Sequence, residues 1–304
     1  VRTLKPDCYR AKDMGFPLKG YVYCYPGQAN YLGGDILSGL AATEIYKQEE
    51  ISVFLDIGTN GELVIGNKDF LVAGAGAAGP ALEGGVVKTG MRAEPGAVDR
   101  VHIENGQVKI HVIGETRAKG ICGSGIVDLL AEMFLNGWID VRGRYVEEAS
   151  EKIREVEGEL AAEYAPGLFF FQKDIEEFLK TKAAAGTMVE YMMGEVGLEM
   201  KDIGRFYVAG AFGTHISKEA GVTVGLYPDM PRDKIILPGN SSLIGARKML
   251  LNRKLKEEME EILDKMTYIQ FGAVDNFLYI MVAAEAIPHT DIRRYPSVEK
   301  ELKK

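Results

Sequence analysis

An aspartate that closes an apolar strand and is followed at once by small residues is the feature of this sequence best suited to chemistry. Ile51-Ser52-Val53-Phe54-Leu55 runs into Asp56-Ile57-Gly58-Thr59-Asn60-Gly61-Glu62. The carboxylate of Asp56 could orient a metal ion. The backbone N–H groups and hydroxyl of Gly58, Thr59, Asn60 and Gly61 could face a phosphate, as an anion nest beside a metal-orienting acid. The turn carries no lysine and leads into a hairpin, which excludes a P-loop. On this fragment alone, a hairpin with a capping aspartate is the competing reading. Gly74-Ala75-Gly76-Ala77-Ala78-Gly79 is a literal G-x-G-x-x-G after an apolar strand. Pro80 follows, however, and Gly84-Gly85 break the helix that a dinucleotide site requires. Glu83 is the acid of that loop, either a general base or a favourable charge at a helix start.

Two further glycine corners complete the inventory. Gly210-Ala211-Phe212-Gly213 follows a strand, and Gly239-Asn240-Ser241-Ser242 precedes a helix. Each alone could be a close helix–strand packing site. Around one cleft with the Asp56 turn, they would hold a nucleotide with its phosphates at one lip and its adenine at the other. The four histidines form no triad with a Ser or Cys and no metal set. His102 and His111, on opposite arms of an expected hairpin, lack a carboxylate or Cys at ligand spacing. Cys122, beside Gly123-Ser124-Gly125, reads as a small packing residue.

These corners need strands and helices to position them. The pattern predicts a short strand over 20–25, a helix opened by Gly33-Gly34-Asp35, and a meander of three antiparallel strands beginning at Ile51, with Asn60-Gly61 as its first turn. A glycine-rich loop is expected over 74–85. A hairpin over 101–113, a helix from Ile126 to Phe134, a polar exposed excursion over 141–170 and an amphipathic helix from Gln172 to about Val196 follow. The strand Phe206–Ala209, a turn-rich segment to Pro238, a helix from the Gly239 corner to Leu251 and a charged helical run from Arg253 to Lys265 complete the series.

Composition sets the limits. At about 100–200 residues per domain, 304 residues give roughly two lobes or one enlarged domain. A formal net charge of −8 lacks the basic excess of a nucleic-acid binder. The apolar run Phe277–Ala284 ends at Glu285, short of a bilayer span, so no membrane role is expected. Three cysteines, Cys8, Cys24 and Cys122, match no disulfide framework. They point to a reducing, cytoplasmic setting and cannot by themselves supply four thiolates to an iron–sulfur cluster.

The order strand, Asp-x-Gly-Thr turn, hairpin, glycine loop, Ala-Gly-Ala-Phe-Gly strand end and Gly-Asn-Ser helix start resembles the acetate and sugar kinase, Hsp70 and actin (ASKHA) superfamily. Five segments sharpen the match: 54–62, 78–85, 120–125, 209–213 and 239–241. They are similar to the C-terminal region of the reductive activators of corrinoid enzymes, over nearly the whole chain from about residue 20 to Thr290. The resemblance implies an α/β, RNase H-like fold, a mixed sheet flanked by helices with an inserted β-hairpin subdomain. Its core would comprise 20–96 and 200–304, and its insertion 97–171. It also implies that Gly33-Gly34-Asp35 is a connecting segment and the Asp56 turn a second phosphate loop. The first phosphate loop and an N-terminal ferredoxin domain holding the iron–sulfur cluster would lie upstream of Val1.

The activity so implied is ATP-dependent return of cob(II)alamin to cob(I)alamin on the corrinoid protein of a methyltransferase or related system, with ATP and Mg2+ as cofactors and a homodimer left open. Asp56 would hold Mg2+ through water. Gly58, Thr59, Asn60 and Gly61 would contact phosphate, and Gly210, Ala211, Gly213, Gly239, Asn240 and Ser241 the adenosine side. Asp35, Asp56 and Glu83 compete for the water-positioning role. A small-molecule kinase of the same fold and a non-catalytic module docking the corrinoid protein are the alternatives.

Overall fold

The computed structural model describes residues 7–27, 32–58, 60–77, 85, 87–210, 215–271 and 277–303. The first half runs β1 (Asp7–Arg10), β2 (Tyr21–Cys24), α1 (Gly34–Thr43), β3 (Ile51–Ile57), β4 (Asn60–Gly66), β5 (Leu71–Ala77), β6 (Ala97–Glu104), β7 (Gln107–Val112), β8 (Gly120–Ile121) and α2 (Gly123–Leu135). It continues through β9 (Ile153–Val156), β10 (Glu159–Ala165), β11 (Leu168–Phe171), α3 (Gln172–Glu195), β12 (Ile203–Ala209), α4 (Lys218–Thr223) and β13 (Ile235–Gly239). The last elements are α5 (Ser241–Leu251), α6 (Leu255–Lys265), β14 (Met266–Gln270), α7 (Phe277–Ala284) and α8 (Pro296–Leu302).

A six-stranded mixed sheet in the order β13-β12-β3-β4-β5-β14 carries the fold. β3, β4 and β5 form an antiparallel meander, while β12 is parallel to β3, β13 to β12 and β14 to β5. Both faces of β3 are covered, so its sequence is nearly continuous in apolar residues rather than alternating. Period two still decides which face each side chain serves. Val53, Leu55 and Ile57 enter the larger core with α2 and α3, whereas Phe54 enters the second core with α1 and α6. The same division places Leu63 and Ile65 of β4 on the larger-core side and Val64 on the other.

Three expectations about local structure differ from the fold. The excursion over 141–170 holds a three-stranded antiparallel sheet, β11-β10-β9. Its Ala161, Ala162, Tyr164 and Phe170 are buried, and the intervening charges line only the outer face and turns. The turn-rich stretch to Pro238 contains β13, at the sheet edge, where a proline is tolerated. β5 extends through Gly74 to Ala77, later than the start of the expected loop. There the side chains of Phe271, Met192 and Met188 lie against the positions that β carbons would take at Gly74 and Gly76. No helix among the described residues is long and apolar enough to cross a membrane.

Candidate functional site

Three strand ends build the site. β3, β12 and β13 run parallel, and Ala209 pairs with Asp56 on one side and Gly239 on the other. The Asp56 turn, the Gly210 corner and the Gly239-Asn240-Ser241 junction therefore lie side by side at the carboxyl ends of adjacent strands, where open α/β sheets place their ligands. Gly210 has φ +92°, and a β carbon there would stand 2.8 Å from Asp56 Oδ1 and 2.8 Å from the Ile57 carbonyl oxygen. Only glycine lets the two corners approach this closely.

Carboxylates collect on one face of this edge. Two-residue alternation puts Asp56 on the face of Phe54, under α1, and Asp35 stands in the first turn of α1. Directly opposite Asp56 in β4 is Glu62. Burial, with the Asp35 charge added, pushes Asp56 up to about 6. Burial, then Asp35 and Asp56, pushes Glu62 up to about 7. Neither acid has an ion-pair partner among the described residues. A turn centred on Asn60-Gly61, as the sequence predicts, sets Asp56 opposite Ile65 and gives Glu62 no place beside it. The reversal instead falls between Ile57 and Asn60, with Ile57 opposite Gly61, and this brings Glu62 to Asp56.

The other expected residues divide by what their polar groups already do. Gly58 N–H donates to the Asn60 carbonyl (2.9 Å), so that amide closes the turn rather than pointing at a ligand. Asn60 is exposed, and Gly61 is buried within β4. Gly239 has φ +76°. Asn240 Oδ1 accepts from Leu243 N–H (2.9 Å) and caps α5. Ser241 is buried, with a hydroxyl that has no partner among the described residues. Thr59, Glu83, Ala211 and Gly213 lie outside the described residues. His102 and His111 do not pair across their hairpin; they meet Glu132 (3.1 Å) and Asp99 (2.6 Å).

Among the described residues, no group of three or more His, Cys, Asp or Glu is poised to hold a metal ion directly. Asp56 and Glu62 nevertheless suit a cation held through water, because a divalent ion would offset the burial and the neighbouring carboxylate charge that raise both acids. The unpartnered Ser241 hydroxyl and the N-terminus of α5 add donors on the adjoining wall.

Comparison with known proteins gives consistent results. A family model described as the C-terminal domain of RACo, the ASKHA domain, matches residues 50–299. The corrinoid activation enzyme RamQ of Eubacterium limosum is 31% identical over 268 residues, which cover 82% of this chain and 45% of that protein. The Co(II) methylated amine-specific corrinoid protein reductase of Methanosarcina barkeri is 29% identical over 265 residues, 80% of this chain and 46% of that one. A solved structure named as a reductive activator for corrinoid, iron–sulfur protein superposes with a TM-score of 0.89 at 40% identity, covering 98% of this chain and 49% of that chain. The chain thus spans about half the length of the curated relatives it matches.

Proposed function

This chain belongs to the family of the RACo C-terminal ASKHA domain, and from that premise we propose that it binds Mg2+–ATP and couples it to reductive activation of a corrinoid protein. The observation that carries this reading is the edge where Asp56, Gly210 and Gly239 adjoin, roofed by α1 and backed by Glu62. Mg2+ would neutralise phosphate charge there. Asp56 and Glu62 would orient the ion through water, and Thr59 and Asn60 would contact phosphate. Gly210, Ala211, Gly213, Gly239, Asn240 and Ser241 would line the adenosine side.

Returning cob(II)alamin to cob(I)alamin is an uphill electron transfer at ordinary donor potentials. Nucleotide can help only by binding two conformations, or two docked states, with different affinity. The site has the parts for this, since α1 and α5 both begin at it and pack on one another. The partner in this reading is a corrinoid protein, as the names of the relatives suggest for them.

Isothermal titration calorimetry with ATP, with and without Mg2+, tests the reading. Binding is expected only with Mg2+, weakened at least tenfold in Asp56→Asn and severalfold in Glu62→Gln. The absence of any nucleotide heat in the wild-type chain would remove the reading.

A further inference from the structure

At the opposite end of the same strands, the sheet carries a groove that the nucleotide reading does not use. We propose that this groove, at the start of β12 and β13, is a second binding site, for a small organic anion with an apolar body. It has a volume of about 440 Å³, within the range of small-molecule sites. β12 begins in it at Ile203 and ends at the Asp56 edge after seven residues, so the two sites stand about 20 Å apart.

The groove is built before any ligand arrives. Asp229, with a side chain 5% exposed, accepts from the backbone N–H of Ser297 (2.7 Å), from its hydroxyl (2.7 Å) and from Arg232 (3.0 Å). Arg232 also donates to the Met230 carbonyl (2.7 Å) and to Ser297 Oγ (3.0 Å). These bonds tie the turn after Tyr227 to the turn that opens α8, so both walls are fixed. A site held this way does not spend binding energy on ordering itself.

Its chemistry follows from the side chains that line it. Asp229, the acid in the lining, is consumed by the cross-tie. Lys201, Lys234 and Arg294 remain exposed around the groove. Lys201 leans on exposed Glu199 (2.6 Å) and Arg294 on Glu190 (2.9 Å), whereas Lys234 has no ion-pair partner among the described residues. In a chain of net charge −8 this is a local cationic mouth. Met200, Met230 and Tyr295 supply apolar wall. Inward, past Arg294 and Tyr295, lies a smaller cavity of about 50 Å³ lined by Tyr227, whose buried hydroxyl has no partner among the described residues. An anionic head at the lysines and an apolar body along the methionines satisfy both parts of the groove.

The test uses 1-anilinonaphthalene-8-sulfonate as the probe, followed by fluorescence, with octanoate, octyl phosphate and 1-octanol as competitors. One equivalent should bind. Octanoate or octyl phosphate should displace it, the better of the two naming the head group, and neutral octanol should be at least tenfold poorer. The double variant Lys201→Glu/Lys234→Glu should lose at least tenfold in probe affinity, and Asp56→Asn should lose none. The Asp56 arm separates this site from the nucleotide reading, which can fail without touching it. Unchanged affinity in the double variant, equal displacement by octanol, or no probe binding would each overturn the assignment.

Discussion

Asp56 and Glu62 are costly residues to keep, and their protonation shows why. Burial, then the Asp35 charge, lifts Asp56 from 3.8 to about 6, and burial, then Asp35 and Asp56, lifts Glu62 from 4.5 to about 7. Between the unfolded and folded values the folded chain binds more protons, so the stability these acids contribute is complete near pH 4. It is lost as pH rises towards 7. At 1.36 kcal/mol per unit, Asp56 alone costs about 3 kcal/mol at most at pH 7.5; Glu62, more open to water, costs less after screening. Asp56→Asn is therefore expected to raise the melting temperature at pH 7.5, to leave it nearly unchanged at pH 4, and to weaken Mg2+–ATP binding. Thermal denaturation at the two pH values checks this; an equal fall at both would mean that the carboxylate is structural. Asp56 was legible in sequence because an acid that ends an apolar strand breaks a pattern. Glu62 was hidden because its role depends on strand register, which slid by the placement of one turn.

Two helices that begin at the site meet where neither sequence announces it. Gly245 of α5 lies so close to α1 that a β carbon would sit 1.9 Å from the Ser38 carbonyl oxygen, and Ser38 Oγ donates to the Ser242 carbonyl at 2.6 Å. Tyr25 Oη adds a bond to the Gly245 carbonyl (3.0 Å). Gly245→Val should thus force α1 and α5 apart, costing about 3 kcal/mol by overpacking. It should also lower nucleotide affinity, since Asp35 and Ser241 ride on the displaced helix starts. Leu250→Ala, on the outer face at 86% exposure, is the control, expected to change stability by less than about 0.5 kcal/mol. Denaturant melts of both variants, paired with calorimetry, decide it. The starts of α1 and α5 were readable from Gly33-Gly34-Asp35 and Gly239-Asn240-Ser241. Their crossing was not, because a glycine inside a helix pattern does not say which neighbour it admits. β9, β10, β11 and β13 are not legible for a related reason: charged outer faces and prolines at a sheet edge resemble loops until the paired strand is known.

At the scale of the whole chain, α3 holds distant parts together through one side chain. Lys182, 2% exposed, donates to the carbonyls of Ala284 (2.6 Å), Ala286 (2.5 Å) and Pro288 (2.6 Å), more than a hundred residues away. Burial, and then the Arg294 charge, pushes it down to about 7. Its spacing from Ile175, Phe178 and Leu179 puts it on the buried stripe of α3, off which the exposed Lys173 and Lys180 lie; only the fold shows that the ammonium's three donors meet three acceptors. Removing them in Lys182→Met leaves buried carbonyls without that donor, at a cost of about 3 kcal/mol. The segment from α7 to α8 carries Arg294 and Tyr295 of the far groove, whereas the Asp56 edge is built from β3, β12 and β13. The variant should therefore expose the region after Phe277 to limited proteolysis and weaken probe binding in the groove. Mg2+–ATP affinity should change less than threefold. Equal loss at both ends would show that the C-terminal segment braces the entire sheet rather than one end of it, and mass mapping of the first cleavage sites distinguishes the two.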